Sequence, residues 1–214
     1  MKKIRLPGLL LFILFSSACV VQSFFPFYTE ETRIPVPAGI LGDWLLARDS
    51  VTQPKERATL TGEIPWTFTE EELHTCDKEQ VKSSVKPVFF KVKDMLFCDF
   101  TAASPDQSAV NIFWTCNVLP VHTLCKVRHS KDTLLLMPIN PDWLEQALKD
   151  NALDLPFMES ESSGLLFTAT SAQWQEFLAT HGAKEEAFSP DTAFELKRRA
   201  ATQREKAQQS PAAL

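Results

Sequence analysis

The chain has 214 residues, 44% of them hydrophobic and 23% charged, with 6 glycines and 14 prolines. That mixture excludes collagen, low-complexity disorder and a polytopic membrane protein. The formal net charge is −5, but without Lys2, Lys3 and Arg5 near the front, 19 basic residues face 27 acidic ones and the balance falls to −8. A surface that acidic argues against nucleic acid as a partner, which needs clustered cations, and against docking on anionic lipid by charge alone.

Met1–Arg5 form a basic start, Leu6–Phe15 an apolar run broken only at Pro7 and Gly8, and Ser16-Ser17-Ala18 a run of small residues. That order predicts a secretory signal over residues 1–18. The apolar run is shorter than the roughly 20 residues needed to cross the hydrocarbon. The stretch Phe15-Ser16-Ser17-Ala18-Cys19 resembles the lipobox of bacterial lipoproteins, with Ser16 where that family usually has Leu. The resemblance implies that Cys19 is diacylated on its thiol and becomes the N-terminus. The partner is then a membrane, held through an N-terminal lipid, and two acyl chains at one site make a stable anchor. Val20 stands where the enterobacterial sorting pattern has Asp for inner-membrane retention, so the resemblance implies the outer membrane, with the protein facing the periplasm.

Residues 19–39, with Pro26, Pro35 and Pro37, read as a tether, and the fold is expected over 40–199. Within it the dominant signal is alternation of period two, the mark of half-buried strands. Val88, Phe90 and Val92 share one face; Leu96, Cys98 and Phe100 share another, with Asp99 opposite. A connection through Lys93-Asp94-Met95 sets Val92 opposite Leu96 and Phe90 opposite Cys98. Val110, Ile112, Trp114, Cys116 and Val118 form the next face, and Val121, Thr123, Cys125 and Val127 continue after a turn at Pro120. Thr133–Ile139, Ser163–Thr168 and Thr192–Arg198 are further strands. The inward set predicted to line the interior includes Phe90, Phe100, Trp114 and, from the first strand, Trp44.

With Cys19 set aside, Cys76, Cys98, Cys116 and Cys125 remain, an even set that in an oxidising compartment predicts two disulfides. Their gaps of 22, 18 and 9 residues lack the short paired spacing of a zinc site, so no metal is expected. A turn at Pro120-Val121 sets Cys116 opposite Cys125, which favours the pairing Cys116–Cys125 with Cys76–Cys98 by elimination. Cys98–Cys116 stays open.

Two helices interrupt the strands. Asn140-Pro141-Asp142 supplies a cap, a proline at the first helical position and an acid in the first turn, ahead of Leu144, Ala147 and Leu148. Thr170 and Gln173 make a capping box, Trp174, Phe177 and Leu178 the apolar stripe, and Gly182 the stop. Residues 200–214 are polar and without apolar period, and read as a flexible tail. Roughly eight to ten short strands in a meander close into a barrel or stack as a sandwich.

Ile40-Leu41-Gly42-Asp43-Trp44 resembles the G-x-W opening of lipocalins, although their Thr-Asp-Tyr segment is missing and the single tyrosine, Tyr28, lies in the tether. Residues Phe167 to Leu178 are similar to a segment of uncharacterised exported bacterial proteins of lipocalin-like type. The resemblance implies a mainly β fold, an antiparallel up-and-down barrel of eight strands with two short helices in the C-terminal half. It implies that Trp44 seals one end, with Arg198 or Arg199 over its ring, and that the lumen holds a small hydrophobic ligand.

No nucleophile elbow, phosphate loop or dinucleotide fingerprint is present, and no cofactor or enzymatic activity is expected. His122 with Cys125 is half a metal site at most. His181 sits in the last turn of a helix, where a partly protonated imidazole suits the dipole, and Glu70-Glu71-Glu72 reads as a solvated loop or helix start. His74 and His129 carry no motif. Two functions remain open: a carrier for a small hydrophobic ligand, and a filled barrel acting as a scaffold that binds an envelope protein.

Overall fold

The computed structural model describes residues 21–49, 64–76, 82–103, 120–160 and 164–199. The expected signal, Cys19, the strand over 110–118 with Trp114 and Cys116, and the C-terminal tail lie outside these residues.

In chain order the elements are β1 (Gln22–Ser23), β2 (Arg33–Ile34), β3 (Gly42–Asp49), β4 (Pro65–Phe68), β5 (Leu73–Cys76), β6 (Lys82–Val92), β7 (Met95–Ala102), β8 (His122–His129), β9 (Thr133–Pro138), α1 (Pro141–Lys149), β10 (Phe157–Ser160), β11 (Gly164–Phe167), α2 (Ser171–His181) and β12 (Phe194–Arg198). Strands β3 to β9 are consecutive antiparallel neighbours, and β12 inserts between β9 and β3. The result is a closed antiparallel barrel of eight strands with two short helices in the C-terminal half. Closure removes the free edges that an open sheet would leave unpaired.

Four short strands lie outside the ring. Strand β1 pairs with the start of β8 on one side and with β11 on the other, and β10 follows β11. Strand β2 pairs with Phe89 and Phe90 of β6, beyond the reach of β5, which covers only Lys82–Val85. Pro87 falls between these two stretches, where β6 has a single neighbour and a missing N–H is tolerated.

The barrel wall is apolar on both faces. The inner cluster takes Trp44, Phe68, Leu73, Phe89, Cys98, Cys125, Val127, Leu134, Leu136 and Leu196, with Trp66, Phe100 and Phe194 packed against it. The outer cluster joins Phe90, Phe97, Leu124 and Met137 to Leu144 of α1, to Trp174, Phe177 and Leu178 of α2, and to Phe27.

Both helices begin on the residues that the sequence nominates. The Asn140 side chain accepts from the Asp142 and Trp143 N–H groups. Thr170 and Gln173 form a reciprocal capping box, which satisfies two N–H groups that a helix start otherwise leaves orphaned. Gly182 ends α2 at φ −60, so a left-handed turn is not what calls for glycine there. A Cβ would stand 2.5 Å from the Leu178 carbonyl oxygen and 3.0 Å from the Phe97 ring. The requirement is the close approach of the helix end to the barrel.

Two expectations are corrected. The β6–β7 turn uses two residues, Lys93 and Asp94, with Lys93 at φ 55, the sign that tight hairpin turns demand. Phe90 therefore stands opposite Phe97, Phe89 opposite Cys98 and Val92 opposite Met95. Phe90 faces the helices, and Phe89 takes its place inside. A one-residue change of register exchanges the faces, and the pattern did not warn of it because both faces are buried. The second correction concerns the tether. Residues 21–39 are part of the fold: Val21 and Phe27 are buried, and β1 and β2 join the sheet.

Candidate functional site

The end of the barrel near Trp44 is closed by one cation. The indole Nε1 of Trp44 donates to the Ile40 carbonyl at 2.7 Å, and the Arg198 guanidinium lies 4.1 Å from the ring centroid. Its Nε donates to Lys131 O at 2.9 Å, Nη1 to Leu41 O at 3.1 Å, and Nη2 to Gly39 O. One planar group thus ties the start of β3 to the β8–β9 turn, a fork geometry that lysine lacks. Arg199 lies one residue beyond, its backbone N–H donating to Asp43 O at 3.1 Å.

The interior is lined by large side chains. Trp44, Phe68 and Phe89 are fully buried, and Phe100, Trp66 and Phe194 pack onto the same cluster. An eight-stranded barrel is just wide enough for its own side chains or one small ligand. Among the described residues, six aromatic side chains share that space. A cleft of about 360 Å³ is lined by Arg33, Ile34, Val36, Glu70, Pro87 and Phe89 among others, of which Ile34, Val36 and Phe89 belong to the inner cluster or pack on it. It lies where β6 has left β5 and not yet met β2. Its rim carries the exposed Arg33–Glu30 ion pair at 3.5 Å.

The thiols of Cys98 and Cys125 are opposite one another across β7 and β8, both free and both buried. Burial pushes the Cys98 thiol well up, with Cys125 adding to it, and pushes Cys125 up to about 12. Neither is a nucleophile at neutral pH, because the thiolate is the reactive form. The expected Cys76–Cys98 bridge is corrected. Cys76 stands opposite Lys82 and Cys98 opposite Phe89 on the same β6. Seven residues of strand separate those positions by about 23 Å, against the roughly 4.4–6.8 Å between Cα atoms of a disulfide. Cys125 faces Cys98 and is free, and the expected partner Cys116 lies outside the described residues.

The chemistry that sequence reading passed over is on the outer face. Asp99 is buried, and its Oδ1 accepts from His122 Nδ1–H at 2.8 Å while Oδ2 accepts from the Phe27 N–H at 2.9 Å. Burial holds the Asp99 carboxyl above the ordinary carboxylate range, and the His122 hydrogen bond opposes that shift. His122 pairs in register with Ser23, so a serine, a histidine and an aspartate meet. The serine is committed elsewhere: Ser23 Oγ accepts from Trp174 Nε1–H at 3.0 Å and from the Phe25 N–H at 3.2 Å, and the residue is fully buried. Two further bonds from α2 hold the same segment, Ser171 Oγ to Pro26 O at 2.7 Å and Gln175 Nε2 to Phe27 O at 2.6 Å. The arrangement is a clamp that fastens residues 23–27 to the barrel. The one local sign of it was a carboxylate set in an apolar strand, Asp99 between Cys98 and Phe100.

The other candidates are placed as follows. His122 and Cys125 point to opposite faces of β8, which dissolves the half metal site, and among the described residues no group of three or more metal-ligating side chains occurs. His181 is packed between Trp143 and Phe177 at ring distances of 5.7 and 5.2 Å. Burial and then Lys184 lower its pKa, which works against the protonated form that the helix dipole favours. Lys93 and Lys126 serve instead, donating at 2.7 Å to the carbonyls of Ala179 and Gly182. Because the last helical carbonyls carry partial negative charge, Lys126→Met should destabilise the fold by about 1–2 kcal/mol, read by urea unfolding; an unchanged midpoint would show that the buried ammonium contributes nothing. Glu70-Glu71-Glu72 forms the β4–β5 turn, where Thr69 Oγ1 accepts from the Glu71 and Glu72 N–H groups. Glu72 also accepts from Ser84 Oγ, and His74 Nδ1 lies 3.3 Å from that hydroxyl. The trio is at the surface, with the His74 side chain about half exposed. His129 borders Gly39, where a Cβ would stand 3.3 Å from its ring.

No protein-family model, curated protein or solved structure matches this chain.

Proposed function

We propose that the chain is a lipid-anchored protein of the bacterial outer membrane, facing the periplasm, whose barrel is a non-enzymatic module for binding another envelope protein. The observation that carries the reading is the crowding of the interior: six aromatic side chains from five strands, Trp44 of β3, Trp66 and Phe68 of β4, Phe89 of β6, Phe100 of β7 and Phe194 of β12, pack together where a lipocalin-like carrier would hold its ligand. The opposed pair of buried thiols and the clamped front segment likewise serve rigidity and not turnover. The carrier reading rests on the cleft beside β2 and β6, whose volume is at the small end of ligand pockets.

Native mass spectrometry of protein extracted from the envelope separates the two. The interaction module predicts the mass of the acylated chain alone; a stoichiometric apolar molecule retained through gentle desolvation would establish the carrier. The anchor is tested apart from either. Cys19→Ser should abolish acylation and move the protein from washed membranes to the soluble periplasmic fraction, read by immunoblot. Recovery of the variant in the membranes would reveal a different anchor.

A further inference from the structure

We infer that the edge formed by β1, β11 and β10 lies against the bilayer, with Phe25, Phe157 and Met158 dipping into the lipid headgroup region. The inference rests on the lipid anchor at Cys19 proposed above.

The geometry follows from the shortness of the connection. Val21 is buried, and Gln22 and Ser23 are paired on both sides, with β8 and with β11. Hydrogen bonds from α2 and from Asp99 fasten residues 23–27. Only Val20 separates Cys19 from the packed chain. Two residues of fully extended chain span at most about 7 Å, comparable to the headgroup layer, which occupies roughly 5–8 Å on each side of the hydrocarbon. An acylated Cys19 therefore leaves no slack, and β1 is held at the membrane surface.

What surrounds β1 suits that position. The exposed large apolar side chains of the described residues are Phe25, Phe157 and Met158, at 47%, 41% and 54%. All three are beside β1. Phe157 is in register with Phe167 and then Ser23, and Met158 with Leu166 and then Gln22. Two strand spacings put them about 10 Å from β1, and Phe25 is two residues past its end. Scattered single apolar residues need no account, but here they gather at the point of attachment. Phe157 and Met158 are neighbours on β10 and stand on opposite sides of it, so it is the strand edge that brings both to lipid, and with a net charge of −8 after the leader the contact is apolar insertion and not charge.

The test uses the full acylated chain, extracted from the envelope and reconstituted into phosphatidylethanolamine–phosphatidylglycerol vesicles containing lipid brominated close to the headgroup. Tryptophan is introduced as a reporter in Phe157→Trp, in Met158→Trp as a second, and in Lys131→Trp. Lys131 lies in the turn after β8, and the eight residues of that strand hold it about 24 Å from the β1 end. The expected result is loss of the added emission for the first two proteins and none for Lys131→Trp, with no change when the salt is raised. Mass spectrometry of the N-terminal peptide reports the acyl chains in each sample. Acylated protein in which the Phe157→Trp and Met158→Trp reporters are no more quenched than Lys131→Trp overturns the docking and leaves the anchor standing. Absence of the acyl mass overturns the anchor and the docking together. Unquenched reporters in a protein that sediments as a dimer assign the edge to a second copy, and also overturn it.

Discussion

Replacing Trp44 by alanine is expected to lower the stability of the barrel by about 3–5 kcal/mol, the range for deleting a large buried aromatic side chain. Trp44 is fully buried, donates to Ile40 O, and is the ring on which Arg198 lies. Its loss opens a cavity in the inner cluster and removes the stacking partner of a guanidinium that joins two loops. Arg198→Met keeps much of the stem and forfeits the three hydrogen bonds and the cation–π contact, the last contributing about 0.5–2 kcal/mol. The order of destabilisation should be Trp44→Ala, then Arg198→Met, then Trp44→Phe, which retains a ring. Denaturant unfolding of the three variants and of the Trp44→Ala/Arg198→Met pair measures the coupling. A pair that is simply additive would mean that the stack contributes nothing of its own.

Asp99→Ala is expected to cost roughly 3 kcal/mol, because it strands His122 Nδ1–H and the Phe27 N–H in a largely dry layer. Asp99→Asn should cost much less. Its amide oxygen can accept from Phe27 N–H while its NH₂ donates to a His122 tautomer protonated at Nε2. The two variants also separate in pH. Burial raises the Asp99 carboxyl above its ordinary value of 3.8 in the folded protein, so the folded state binds a proton that the unfolded state has already released. Stability from this group is fully present below pH 3.8 and falls as pH rises through the folded value. The native protein should therefore gain on Asp99→Asn as pH is lowered from 7 toward 4, in urea titrations at the two pH values. A constant difference between them would show that Asp99 keeps an ordinary pKa despite its burial. Loss of the clamp should also show as faster amide exchange over residues 23–27, ahead of any change in the barrel.

Much of the architecture was legible locally. The capping box at Thr170 and Gln173, the Asn140 cap before a proline, and alternation across Leu96 to Phe100 each report on a few neighbouring residues, and backbone geometry answers to those. Tight turns fix the pairs β4–β5, β6–β7 and β8–β9, whereas long connections precede β4 and β8, and there only the closed ring sets the neighbours. What eluded local reading was the face. Period two states that two sides differ, but in β6, where Phe89 and Phe90 are both buried, it cannot state which side is inside. A turn shorter by one residue settled the matter. The clamp was hidden for another reason: Asp99 meets Phe27 across 72 residues and Trp174 meets Ser23 across 151, and no window along the chain contains both partners.

From its order of residues alone this protein was bound to be a β meander with two capped helices, because hydrogen-bonding and apolar preferences over a few positions suffice for that. Only the folded molecule decided that Arg198 covers Trp44, that six aromatic side chains meet in the interior, that Cys98 meets Cys125 and not Cys76, and that the front segment is gripped and not loose. Those outcomes depend on which distant surfaces meet when the ring closes, a condition set by the packing of the whole.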